Sequence, residues 1–174
     1  MPALALGAEP PEIGLMDQSR SRKEHIITTG LLTRSYLFQG GLQSLAAMSA
    51  FYYQYWINGY WGQFFNLPSQ GLLYQSATSM TLAAIVTTQI GNLFAQRTER
   101  RSFFYTDLFS NRLIWVGVVA ELTIVLCIIY LPPLQWVFGT APFPLRNWLF
   151  LFAWSPILLM ADELRKAIFR RRNP

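Results

Sequence analysis

The sequence predicts an all-α, polytopic membrane protein, a bundle of four transmembrane helices with both termini cytoplasmic. Three observations predict it. Of the 174 residues 52% are hydrophobic and 16% aromatic against 13% charged, an unusual balance for a soluble domain of this length. The charges fall in a few short segments and leave long uncharged runs, and an apolar run of about 20 residues crosses the ~30 Å hydrocarbon core of a bilayer. Almost all the Lys and Arg residues, finally, fall on one side of the crossings those runs define.

Residues 1–36 form the cytoplasmic N-terminal segment. Pro2 to Gly7 reads like the last turns of a helix, Glu9-Pro10-Pro11-Glu12 cannot continue one, and the charged stretch Asp17 to His25 favours water. MPALALGA has no basic leader and too short an apolar run for a signal peptide, so the internal spans are expected to drive insertion. The transmembrane domain is read as 37–168, with spans at about 37–56, 72–94, 113–131 and 146–164, followed by a basic cytoplasmic tail, 169–174.

The first span carries Gly40, Ser44 and Ala47 at the spacing that lets another helix approach closely. Its far end, Phe51, Tyr52, Tyr53, Tyr55, Trp56, Tyr60 and Trp61, reads as an interfacial aromatic belt. The uncharged link Gly62 to Gly71 contains Pro68 and is read as a tight turn. The second span places Thr78, Thr81, Thr88, Gln89, Asn92 and Gln96 on one narrow stripe of a 3.6-residue helix and ends in Arg97, Arg100 and Arg101.

A basic loop, Arg97 to Arg112, sets Phe103, Phe104 and Tyr105 at the interface. The third span is apolar apart from Glu121 and Thr123 and stops at Pro132-Pro133, after which a hydrophobic, proline-containing loop is expected. The fourth span holds Pro156, which removes the hydrogen bond to the Phe152 carbonyl and predicts a kink. Of the 14 Lys and Arg residues only Arg146 lies on the side opposite the N-terminal segment, the middle loop and the tail, which puts both ends in the cytoplasm.

The net charge of +5 does not point to nucleic acid, because the basic residues flank apolar spans and do not gather on a soluble face. The single cysteine, Cys127, excludes an intrachain disulfide and a multi-cysteine metal site. His25 has no partner of the kind a metal or catalytic site needs and is read as exposed. No glycine-rich phosphate loop and no recognisable nucleophile and base pair are present, so this chain alone is expected neither to bind a nucleotide cofactor nor to hydrolyse anything.

Three residues are the candidates for cation chemistry. Gln89 and Asn92, three apart, can present carbonyl oxygens to a hard cation such as Na⁺, K⁺ or Ca²⁺, or can hydrogen-bond between helices. Glu121 is the acidic residue deep within a span. Such a group either marks an ion or proton path or is protonated and bonded to a neighbouring helix. Asp162, Arg165 and Lys166, at i, i+3 and i+4, read as a solvated helix end at the headgroups.

Four stretches together resemble the carboxy-terminal membrane region of P-type cation-transporting ATPases. PALALGAEPPEIGLM, Pro2 to Met16, is similar to the end of that family's sixth transmembrane helix and the loop that follows. TTQIGNLFAQRTERRSFF, Thr87 to Phe104, resembles the eighth helix and its cytoplasmic exit, NRLIWVGVVAEL, Asn111 to Leu122, the ninth, and DELRKAIFRRR, Asp162 to Arg172, the end of the tenth.

The resemblance implies support helices seven to ten of an ion pump, in the plasma membrane or the bacterial inner membrane, with a monovalent or divalent cation as cargo. It implies that Gln89 and Asn92 help line the cation sites and that Glu121 stands where sodium pumps carry a ninth-helix glutamate linked to an additional sodium site. Asn92 is neutral where sodium pumps carry an aspartate, and calcium pumps have a glutamate at the position of Gln89. The Gly62 to Gly71 loop is too short to resemble the segment that docks an accessory subunit in animal sodium pumps. The phosphorylated aspartate motif, the nucleotide and actuator domains and helices one to five have no counterpart here, and the resemblance places Met1 within the sixth helix. ATP and Mg²⁺ are what a complete pump of the family uses.

The leading expectation is therefore a pump fragment that is inert alone and whose partners are the lipid bilayer and the missing pump core. The alternative is a stand-alone scaffold or regulator that binds another membrane protein through its small-residue and polar stripes. A third reading is an ion or proton pathway formed by self-association around Glu121.

Overall fold

In a computed structural model of the chain, residues 33–96 and 111–172 are described. The expectations for the N-terminal segment, including His25 and Pro2 to Gly7, and for residues 97–110 of the basic loop lie outside them.

The long helices follow the predominantly apolar runs of the sequence. A π-helical turn, Thr33–Gln39, leads into α1, Gly40–Ile57. Asn58 ends α1 and donates from Nδ2 to the Gln54 carbonyl at 2.7 Å, while Gly59 takes φ 100°, which closes the helix. α2, Leu72–Gln96, starts after Gly71, also left-handed. α3, Arg112–Tyr130, is capped by Asn111, whose side chain accepts from the Leu113 N–H at 3.0 Å. α5, Asn147–Arg172, runs through Pro156. Among the described residues there is no strand.

Two elements differ from the sequence reading. The expected loop after Pro132-Pro133 opens with a short helix, α4, Pro132–Phe138. The prolines end α3 by holding Leu131 extended, and they then occupy the first positions of the next helix, where a missing N–H costs nothing. α5 also continues past the expected end of the fourth span, into the basic tail as far as Arg172.

α2 is the central helix and packs on α1, α3 and α5. Its buried face is made of small and hydroxyl residues, among them Ser76, Ala77, Ser79, Ala83, Ala84, Thr87 and Gly91, which lets neighbours come close. The main core joins Ala50 of α1, Met80, Ala83 and Ala84 of α2, Val125 and Ile129 of α3 and Leu151 of α5. On α1 the close face is Ala46, Ala47 and Ala50, so of the Gly40, Ser44, Ala47 stripe only Ala47 belongs to it. Ser44 is exposed, and a Cβ on Gly40 would meet only the carbonyl of Ser35, in the turn that leads into its own helix.

The aromatic belt also divides differently. Tyr55 is fully buried and donates from its hydroxyl to the Pro68 carbonyl, and Tyr53 stacks on Phe150 of α5 with centroids 4.3 Å apart and planes within 4°. Trp61 stays outward, 78% exposed.

Among the described residues one helix, α3, is long and apolar enough to cross a membrane by length and composition. The other long helices fall short because each carries the polar groups that hold the bundle together. These are the serines, threonines and amides of α2, Gln54 and its tyrosine neighbours on α1, and the charged C-terminal turns of α5.

Candidate functional site

The polar stripe of α2 resolves into two kinds of group. Thr78, Thr81 and Thr88 donate to the carbonyls of Gln75, Ala77 and Ala84 at 2.9, 2.9 and 2.7 Å, so their hydroxyls are satisfied within their own helix. The amides are different. Gln96 Nε2 donates to Oε1 of the buried Gln39 at 3.3 Å, a link from the end of α2 to the turn before α1. Gln89 is exposed, and Asn92 is half-buried with its Oδ1 enclosed and, among the described residues, without a hydrogen-bond partner. An enclosed acceptor with no donor is costly unless something else meets it.

Glu121 lies on α3, half-buried. The two helices meet through an apolar patch in which Ile90, Leu93 and Phe94 pack with Ile114, Trp115, Val118 and Leu122, joined by Leu159 of α5. Gln89 and Asn92 are each sequence-adjacent to residues of that patch, and Glu121 directly precedes Leu122. Among the described residues no group of three or more His, Cys, Asp or Glu side chains is placed to hold a metal ion. Two amide carbonyls and one carboxylate also fall short of the roughly six to eight oxygens a hard cation such as Ca²⁺ takes. The three residues are therefore at most a partial lining.

Two further clusters stand out; the sequence reading missed the first and took the second for a solvated helix end. At the α1–α2 turn end of the bundle, Gln54 Nε2 donates to Ser76 Oγ at 3.1 Å, and Asn147 Nδ2 donates to Gln54 Oε1 at 2.9 Å. All three are buried, and beside them Ser79 Oγ accepts from the Ala141 N–H at 3.0 Å. A lone Gln inside an aromatic run and an Asn opening a helix were the available signals, but their pairing spans 93 positions.

At the opposite end, Lys166 is 1% exposed and Asp162 2%. Lys166 Nζ forms an ion pair with Asp162 Oδ2 at 3.0 Å and donates to Glu163 Oε1 at 3.3 Å and to the Ala95 carbonyl at 3.1 Å, and Arg165 Nε donates to Asp162 Oδ1 at 2.8 Å. The i, i+3, i+4 ion pairs are as the spacing predicts, but Asp162 and Lys166 are buried, not solvated. The last turn of α2 presents orphan carbonyls, and a buried cation answers both them and the negative end of the helix dipole.

Residues 1–168 match the sequence model of the family described as cation transporting ATPase, C-terminus. The chain belongs to this family. Among its relatives, a calcium-transporting ATPase of Plasmodium falciparum is 25% identical over 99% of this chain and 16% of its own length. A potassium-transporting ATPase alpha chain 2 of Rattus norvegicus is 24% identical over 98% of this chain and 19% of its own length. A probable cation-transporting ATPase F of Mycobacterium bovis is 30% identical over 86% of this chain and 15% of its own length. The chain thus spans less than a fifth of the relatives it matches, and it corresponds to the C-terminal region of P-type cation-transporting ATPases.

Proposed function

We propose that this chain is the C-terminal part of the membrane domain of a cation pump. Its long helices α1, α2, α3 and α5 cross the bilayer with both termini cytoplasmic, and Gln89, Asn92 and Glu121 contribute to the cation pathway. The family match over residues 1–168 carries the reading. The lopsided placement of Lys and Arg supports the topology, and the outward apolar side chains of α3 and α5, among them Val116, Val119, Leu149 and Met160, suit lipid.

The partial lining fits a site shared with helices of the rest of a pump. Gln89 is exposed and Asn92 Oδ1 has no donor among the described residues, as expected of groups that meet a cation or another helix there. ATP and Mg²⁺ would act on other parts of the pump.

The test is ATP-driven cation uptake in vesicles by the complete pump carrying Gln89→Ala, Asn92→Ala or Glu121→Gln. The expected result is a rise of about 10-fold or more in the cation concentration for half-maximal uptake with at least one of the three. Unchanged affinity in all three removes the site assignment. A reporter at residue 66 or 140 tests the topology separately, and a cytoplasmic signal from either overturns it.

A further inference from the structure

α4 is built inside out for a helix in water. Its polar side chain turns inward, where Gln135 Nε2 donates to the Ile129 carbonyl at 2.7 Å, and Thr140 just beyond it donates from Oγ1 to the Ile128 carbonyl at 2.7 Å. Both cap the last carbonyls of α3. The apolar residues turn outward, with Trp136 89%, Val137 64% and Phe138 59% exposed, and no residue of α4 is buried. The whole stretch 131–145 is uncharged. It is also fastened at its far side, where Trp148 Nε1 donates to the Tyr130 hydroxyl at 3.0 Å and that hydroxyl donates to the Phe143 carbonyl at 2.9 Å.

We propose that α4 is an interfacial helix seated in the phospholipid surface on the extracytoplasmic side, with Trp136, Val137 and Phe138 among the headgroups and first acyl carbons. The inference rests on the membrane placement proposed above. Lipid is the occupant that fits, because outward apolar side chains recur on both sides of α4, at Leu131 before it and at Leu145 and Leu149 after it, while Ala141 and Phe143 between them turn inward. A specific protein interface carries about one hydrogen bond per 100–200 Å². The outer residues of α4 offer the Trp136 indole N–H and little else, a pattern that suits the headgroup zone, where tryptophan concentrates.

The test uses the full chain with Cys127→Ser in phosphatidylcholine vesicles, carrying a nitroxide at Trp136→Cys or, in a second protein, at Val137→Cys, whose smaller side chain guards against misfolding. A third label at Ile124→Cys, on the outward side of α3, is the mid-span reference. Electron paramagnetic resonance power saturation then compares collisions with oxygen, which partitions into lipid, and with a water-soluble nickel chelate. Expected are α4 labels shallower than the Ile124 label, about 5–10 Å into the headgroup and acyl boundary, with oxygen access exceeding nickel access. If the Ile124 label is lipid-buried while the α4 labels meet nickel freely, the membrane placement stands and the α4 inference falls. If the Ile124 label meets nickel freely, both fall. If the α4 labels are shielded from both agents, protein covers the helix and the lipid assignment is overturned.

Discussion

Gly91 of α2 and Ser155 of α5 meet backbone to backbone. A Cβ built on Gly91 would lie 2.9 Å from the Ser155 carbonyl oxygen and 3.1 Å from its Cα, and the Ser155 hydroxyl donates to the Thr87 carbonyl, one turn earlier on α2, at 2.6 Å. Ser155 precedes Pro156, so the close crossing and the break in the hydrogen-bond ladder of α5 share one site.

Gly91→Ala forces backbone and not a flexible side chain to move, and it should destabilise by about 1–3 kcal/mol. Gly41→Ala is the control, since nothing lies within 4 Å of its built Cβ, and it should be neutral or stabilising by up to about 1 kcal/mol. Thermal unfolding of both variants in detergent checks the pair. Equal melting temperatures would show that α2 and α5 do not cross at Gly91.

Lys166→Met removes the cation that meets Asp162, Glu163 and the Ala95 carbonyl. Breaking a buried pair by deleting one partner costs about 3–5 kcal/mol, and Arg165, still bonded to Asp162, should hold the loss at the lower end. Asp162→Asn combined with Lys166→Met should cost less than the sum of the single changes. Denaturant midpoints for the two singles and the double measure this, and strict additivity would mean the charges do not couple.

Asn147→Leu leaves Gln54 Oε1 without its donor in a buried site and should cost about 1–3 kcal/mol. Gln54→Leu combined with Asn147→Leu removes both partners and should recover part of that loss. Melting temperatures of the three proteins decide it, and a double variant no better than the worse single would show that the two side chains do not act as a pair.

Gln89→Ala should leave the melting temperature of the chain within the change produced by about 0.5 kcal/mol, because its side chain is exposed. Read beside the uptake experiment, an unchanged fold with lowered cation affinity separates a lining role from a structural one. A large loss of stability would instead make Gln89 a packing residue.

The sequence by itself determined the helical class, the approximate starts of the long helices, and the family. Those features are local. Uncharged runs, Asn58-Gly59, Gly71, Asn111 and Pro132-Pro133 act on their own neighbours, and the family rests on stretches such as Thr87 to Phe104 read in order. Even here local signals misled twice, since Pro132-Pro133 ends one helix and opens another, and the charged residues after Met160 do not stop α5 before Arg172.

Only the tertiary structure decided which face of each helix is buried. The small residues of α1 are spread around the helix, so periodicity did not separate Ala46 and Ala50 from Gly40 and Ser44. Gln54, Ser76 and Asn147 become a network because three helices converge there, and Lys166 is buried because the end of α2 brings it carbonyls to cap. In each case the energy of a polar group depends on a partner far along the chain, and that partner is supplied by packing.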